Sequence, residues 1–188
     1  QSPTRTENNT MHKTAAIHTT PPAMITHCIA SIRGEQHADI SVYHAQSRDA
    51  RISMTFSGIL MVLYSCEATQ GLLESFAAAR GHMAQVPREI PAPRTDLDGH
   101  PAKVALSIEW TRRPEYAVVA QTGLNKLKSA AVHWIDLHTG PITWQIRDQL
   151  GLLSTLELLT RVHRTAAAIF LDGDQYSADP TSHDYHAA

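Results

Sequence analysis

The residues best suited to chemistry lie in one short stretch, HWIDLH at 133–138. Imidazole nitrogens and carboxylate oxygens are common metal ligands, so His133, Asp136 and His138 form the most concentrated candidate site. In an extended strand, alternate side chains point to opposite faces, which places Asp136 with His138 and His133 on the other side. Spacing identifies no further ligand. We therefore interpret the three as ordinary sheet residues and expect neither a metal nor a cofactor.

Other catalytic signatures are weak. Asp172, Asp174 and Asp179 resemble a calcium loop only in outline, because the glycine at the sixth position and the glutamate at the twelfth are absent. The chain contains no GxSxG motif, no glycine-rich phosphate loop and no catalytic cysteine context. The sequence therefore favours a protein that is not an enzyme, and we assign no catalytic residue.

Composition limits the classes of partner. The chain has 188 residues, of which 43% are hydrophobic, and its net charge of -2 offers no strong attraction for phosphate backbones or anionic lipid. Even the longest apolar runs, such as 59–64, are far shorter than the roughly 20 residues of a membrane helix. Cys28 and Cys66 match no disulfide framework or zinc site. These features predict a cytoplasmic protein with reduced cysteines and no membrane partner.

The candidate residues are positioned by a strand, a turn, a second strand and a helix. Residues 131–138 alternate with a period of two, 139–141 form a turn, and 142–147 alternate again. Apolar residues then recur at three- and four-residue steps from 149 to 170, which indicates an amphipathic helix. Asp148, or Ser154 in a capping box, could start this helix. The polar face of the second strand carries Thr143, Gln145 and Arg147.

The first half of the chain repeats this order of elements. Four strands near 25, 40, 52 and 59 precede a helix from 67 to 84 with Ser65 as a cap, and GLLES at 71–75 echoes GLLST at 151–155. We predict an α+β fold with antiparallel sheets and a duplicated ββββα unit. The segments are a disordered arm at 1–23, a first unit at 24–86, a Pro-rich connector at 87–103, a second unit at 104–170 and a disordered tail at 171–188.

This order of elements resembles Whirly and PUR-type single-stranded nucleic-acid binders and the SsgA-like cell-division proteins. The resemblance is one of topology alone and implies a sheet that binds a single strand or supports assembly. The lysine-rich, aromatic sheet signature of the nucleic-acid members is absent from the expected positions.

The polar faces favour contact with protein. They are almost neutral, and alternation places Trp110 and Trp144 on apolar faces, leaving Trp134 ambiguous. We predict a non-enzymatic protein-interaction or assembly module that forms homo-oligomers through exposed strand edges. The alternative is a single-stranded nucleic-acid binding protein. The candidate partner-binding residues are Thr143, Gln145, Arg147, Arg112, Arg113, Lys126 and Lys128.

Overall fold

The computed structural model describes residues 24–56, 58–91 and 106–187, which form two four-stranded sheets and two α-helices. The fold class is α+β, and most strand pairs are antiparallel, as predicted. The arm at 1–23 and the part of the connector at 92–103 lie outside the described residues. The strands are β1 Cys28–Ile32, β2 Ala38–Tyr43, β3 Arg51–Phe56, β4 Ile59–Leu63, β5 Leu106–Trp110, β6 Tyr116–Leu124, β7 Ala131–Thr139 and β8 Ile142–Ile146. The helices are α1 Cys66–Ala78, a 3-10 helix Ala79–Gln85 and α2 Gln149–Ile169.

Each half of the chain contributes its first strand to the sheet formed by the other half. The strand order is β1-β8-β7-β6 in the first sheet and β2-β3-β4-β5 in the second. β1 therefore pairs with β8, and β5 with β4, both in parallel. The predicted antiparallel pairing does not hold for these two pairs, each of which joins strands from different halves of the chain. Alternation of side chains indicates which face of a strand is buried, but it does not indicate which strand lies beside it.

Aromatic rings join both sheets and α1 in the core. Trp144 of β8 is fully buried, with its ring centroid 5.8 Å from that of Phe56 on β3 and 5.6 Å from that of Phe76 on α1. Its indole N–H donates to Thr139 Oγ1 at 2.9 Å, so the buried polar atom is satisfied. Trp110 is also buried. Both tryptophans occupy the core positions that alternation predicts.

The helix boundaries follow their capping residues. The side chain of Ser65 accepts the backbone N–H of Ala68 and begins α1, as predicted. The predicted helix to residue 84 instead ends at Ala78 and continues as the 3-10 helix, a tighter form common at helix C-termini. Asp148 caps α2, whereas the alternative cap, Ser154, lies inside that helix and donates to the Leu150 carbonyl.

The C-terminal segment differs from the predicted disordered tail. Residues 171–187 form a series of turns against the two helices. The Asp172 carboxylate accepts the backbone N–H groups of Cys66 at 2.9 Å and Glu67 at 3.0 Å. The Tyr176 carbonyl lies 2.8 Å from His163 Nε2. Because the first N–H groups of a helix have no acceptor within it, a polar segment can be ordered by supplying one.

Candidate interaction surface

The longest edge strand of the described sheets is β6. It spans nine residues, YAVVAQTGL, and contains no Asp, Glu, Lys or Arg. β7 lies on one side of it, and no strand of the described residues lies on the other. Tyr116 is 39% exposed and Val119 is 41% exposed. An uncharged edge of this length leaves backbone hydrogen-bonding groups available to another strand.

The other three edges are less suited to pairing. β1 and β5 have five residues each, and β2 has six. Asp39 lies within β2 and Glu109 within β5. Charged residues and short strands are the usual means by which edges avoid association. The sequence shows that residues 116–124 carry no charge, but it does not show that β6 is an edge strand. That position depends on which strands join each sheet.

The hairpin of β6 and β7 extends beyond its sheet. β6 pairs with β7 over its full length, but β8 covers β7 only from Ile135 to Thr139. We call residues 124–131 the hairpin tip. Its leucines are strongly exposed, Leu124 at 66% and Leu127 at 84%. Lys126 and Lys128, two of the predicted partner-binding residues, are exposed in the same tip.

Asn125 fixes the shape of the hairpin tip. Its side-chain Oδ1 accepts the Ser129 N–H at 2.8 Å, and its backbone carbonyl accepts the Lys128 N–H at 2.9 Å. Lys128 adopts a positive φ of 53°, a conformation that is uncommon for a residue with a side chain. The exposed leucines are therefore presented by an internally hydrogen-bonded turn.

The outer face of the first sheet contains three more of the predicted partner-binding residues. Thr143 lies on the same face as Gln145 and Arg147, as alternation predicts, but it is only 3% exposed, so the prediction that it is solvated is wrong. Two imidazoles cover it, with His138 Nδ1 at 2.7 Å and His27 Nε2 at 3.1 Å from its hydroxyl. Gln145 and Arg147 are half-buried on the same face. A strand pattern cannot show that neighbouring side chains close over a short threonine.

Trp134 also lies on this outer face. Its indole N–H donates to Asp136 Oδ1 at 3.0 Å, and the Arg147 guanidinium lies 5.4 Å from its ring centroid. That distance is within the range of a cation–π interaction. His133 points to the opposite face of β7 and contacts Thr122 Oγ1 at 3.0 Å. Within the described residues, no three His, Cys, Asp or Glu side chains converge as a metal site.

Arg112 and Arg113 have different environments although they are adjacent in sequence. Arg113 forms an ion pair with Glu74 and a hydrogen bond with Gln70, both on α1. Arg112 is exposed. The predicted cationic residues therefore lie in three places: the β5–β6 loop, the hairpin tip and the outer face of the first sheet. They do not form one basic groove.

The Glu74 carboxylate also accepts hydrogen bonds from two tyrosine hydroxyls, that of Tyr116 at 3.4 Å and that of Tyr185 at 3.1 Å. Burial raises the pKa of Tyr116 above its ordinary value, and the negative charge of Glu74 raises it further. This cluster joins α1, the start of β6 and the C-terminal segment. It therefore stabilises one end of the β6 edge.

A cavity of about 470 Å³ lies between the β5–β6 loop and the β7–β8 turn. Its lining includes Trp110, Pro114, Glu115 and Pro141. Trp110 is 5% exposed, and its indole N–H has no acceptor among the described residues. A buried donor without an acceptor is costly, and here the nitrogen itself is shielded from solvent. The sequence contains no signal for this cavity.

The comparisons with known proteins identify no relative. No family model, curated protein or solved structure matches this chain. Neither described α-helix combines the length and apolar composition needed to cross a bilayer.

Proposed function

We propose that this chain is a non-enzymatic assembly module that pairs with a second copy of itself through β6. The observation that supports the proposal is the nine-residue, uncharged and exposed edge of the first sheet. Adding a strand to such an edge satisfies backbone donors and acceptors along its whole length.

The composition of β6 favours a second copy over an unlike partner. A two-fold axis places the same strand of two subunits side by side in antiparallel orientation, so a side chain near the axis lies beside its own counterpart or a close neighbour. Like charges in that arrangement would repel, and β6 has none. Val119, Tyr116 and Leu124 supply exposed apolar surface that pairing would cover.

We also propose that the two halves are duplicated ββββα units whose first strands are exchanged. The parallel pairs support this because Ile59 is opposite Leu106 and Ile142 is opposite Cys28, in each case at the start of both strands. Ser65 and Asp148 are N-caps at corresponding positions. Aligning these caps matches Gly71 with Ser154, so the similar segments GLLES and GLLST are not at equivalent positions.

A superposition of the two halves tests the duplication. When β2, β3, β4 and α1 are superposed on β6, β7, β8 and α2, β5 should fall on β1. A mismatch between β5 and β1 would reject duplication.

Sedimentation equilibrium at high micromolar concentration tests self-association. We expect a dimer for the unmodified chain and a monomer for Val119→Lys, which places two positive charges near the two-fold axis. The matched control is Val42→Lys on edge strand β2, because Val42 is also 41% exposed. A monomeric unmodified chain, or equal effects of the two substitutions, would contradict pairing through β6.

Single-stranded nucleic-acid binding is the second candidate. The Arg147 guanidinium above Trp134 supports it, since cations and aromatic faces are used to hold bases. We expect Arg147→Ala and Trp134→Ala to weaken salt-dependent binding of labelled single-stranded DNA and RNA. Absence of binding at low salt would remove this candidate.

A further inference from the structure

We propose that the hairpin tip of one subunit docks into the cavity at the β5–β6 loop of the partner subunit, with Leu127 as its anchor. The inference rests on the proposed pairing of β6 strands and deepens it. It identifies the group that would fill the cavity. It also explains why the leucines of the tip are exposed in a single subunit.

The direction of the strands brings the two features together. An antiparallel β6 pair that uses the whole strand is centred on Ala120, which places Leu124 opposite Tyr116 of the partner subunit. Strand residues advance by about 3.4 Å, so the chain beyond Leu124 lies beside the loop that precedes Tyr116 of the partner subunit. That loop, residues 111–115, lines the cavity.

The two surfaces are chemically complementary. Leu127 is 84% exposed and is flanked by two lysines, while the cavity lining combines Trp110 and two prolines with the exposed carboxylate of Glu115. Docking would cover Leu127 with apolar groups and bring Lys126 near that carboxylate. Docking would also place the tip against Trp110, whose indole N–H is itself buried.

The charges beside the cavity are consistent with docking. Arg113 is already paired with Glu74, which leaves Arg112 as the exposed cation of the loop. Glu109 and Glu115 both line the cavity. The lysines of the tip therefore meet a lining that contains two carboxylates together with the Arg112 and Arg113 guanidiniums, of which that of Arg113 is paired with Glu74.

The three indole N–H groups give a direct spectroscopic test. Trp134 and Trp144 donate to Asp136 and Thr139, so their resonances are internal controls for that of Trp110. In the dimer, we expect Leu127→Ser to weaken association at least tenfold and to shift the Trp110 indole proton alone. Leu153→Ser on α2, where Leu153 is 46% exposed, should change neither.

Oxidative cross-linking of Ala120→Cys, in a Cys28→Ser background, separates this inference from the proposed function. A cross-linked dimer that is insensitive to Leu127→Ser, with an unmoved Trp110 resonance, overturns docking of the tip and leaves β6 pairing intact. A monomer that does not cross-link overturns both.

Discussion

The backbone N–H of Gly34 lies 3.0 Å and 2.9 Å from the two carboxylate oxygens of Asp148, across 114 positions of sequence. The same fully buried carboxylate accepts the N–H of Ile90 at 2.9 Å and of Gly151 at 2.8 Å. One side chain thus holds the β1–β2 loop, the segment after the 3-10 helix and the first turn of α2.

Asp148→Ala should lower the free energy of unfolding by about 3 kcal/mol, because a cap is lost and several N–H groups lose their acceptor. Urea denaturation measures this change. Ser65→Ala removes the corresponding cap of α1, which satisfies one N–H, and should cost about 1 kcal/mol. Equal losses for the two substitutions would contradict the joining role of Asp148.

Arg113→Ala should destabilise the chain by about 2 kcal/mol, because it leaves Glu74 half-buried without its cation. Arg112→Ala is the matched control and should change stability by less than about 0.5 kcal/mol. Thermal and urea unfolding of both variants distinguish them. A larger effect for Arg112 would show that the ion pair has been assigned to the wrong arginine.

Asp172→Ala should cost about 1 kcal/mol, because two N–H groups at the start of α1 lose the carboxylate that accepts them. Asp174, two residues away and exposed, provides the control. Faster proteolysis after residue 170 in Asp172→Ala, compared with Asp174→Ala, would confirm that the contact holds the C-terminal segment.

Burial raises the pKa of the Cys66 thiol from 9.0 to about 12, and the Asp172 carboxylate adds to the rise. Above pH 9 the unfolded chain loses this proton while the folded chain keeps it. The contribution to stability is therefore complete below pH 9 and is lost as the pH rises towards 12. Urea denaturation at pH 8.5 and 10.5 should show a steeper loss for the unmodified chain than for Cys66→Ala; parallel losses would contradict this assignment.

Local elements of the fold were predictable because their causes are local. Ser65 and Asp148 cap helices, and the alternation around Trp144 follows from a strand with one buried face. The exchange of β1 and β5 was not predictable, because both are short strands that fit either sheet by pattern. Pairing partners depend on contacts between distant residues, such as Cys28 with Ile142.

The candidate surface was predicted only in part for the same reason. Lys126 and Lys128 lie on an exposed tip, as a polar loop suggests. Thr143 is covered by His27, which is distant in sequence, and Arg113 is paired with a helix from the other half. Neither neighbour can be deduced from the spacing around these residues.

The exchanged strands set the order in which the chain can fold during synthesis. β1 is translated first, yet its parallel neighbour β8 leaves the ribosome only after more than a hundred further residues. Neither sheet can be completed by its own half, so a nascent first half would expose the open side of β4 until β5 arrives. We expect the folding of this chain to be slow, cooperative and largely post-translational, and separately expressed halves to need each other for solubility.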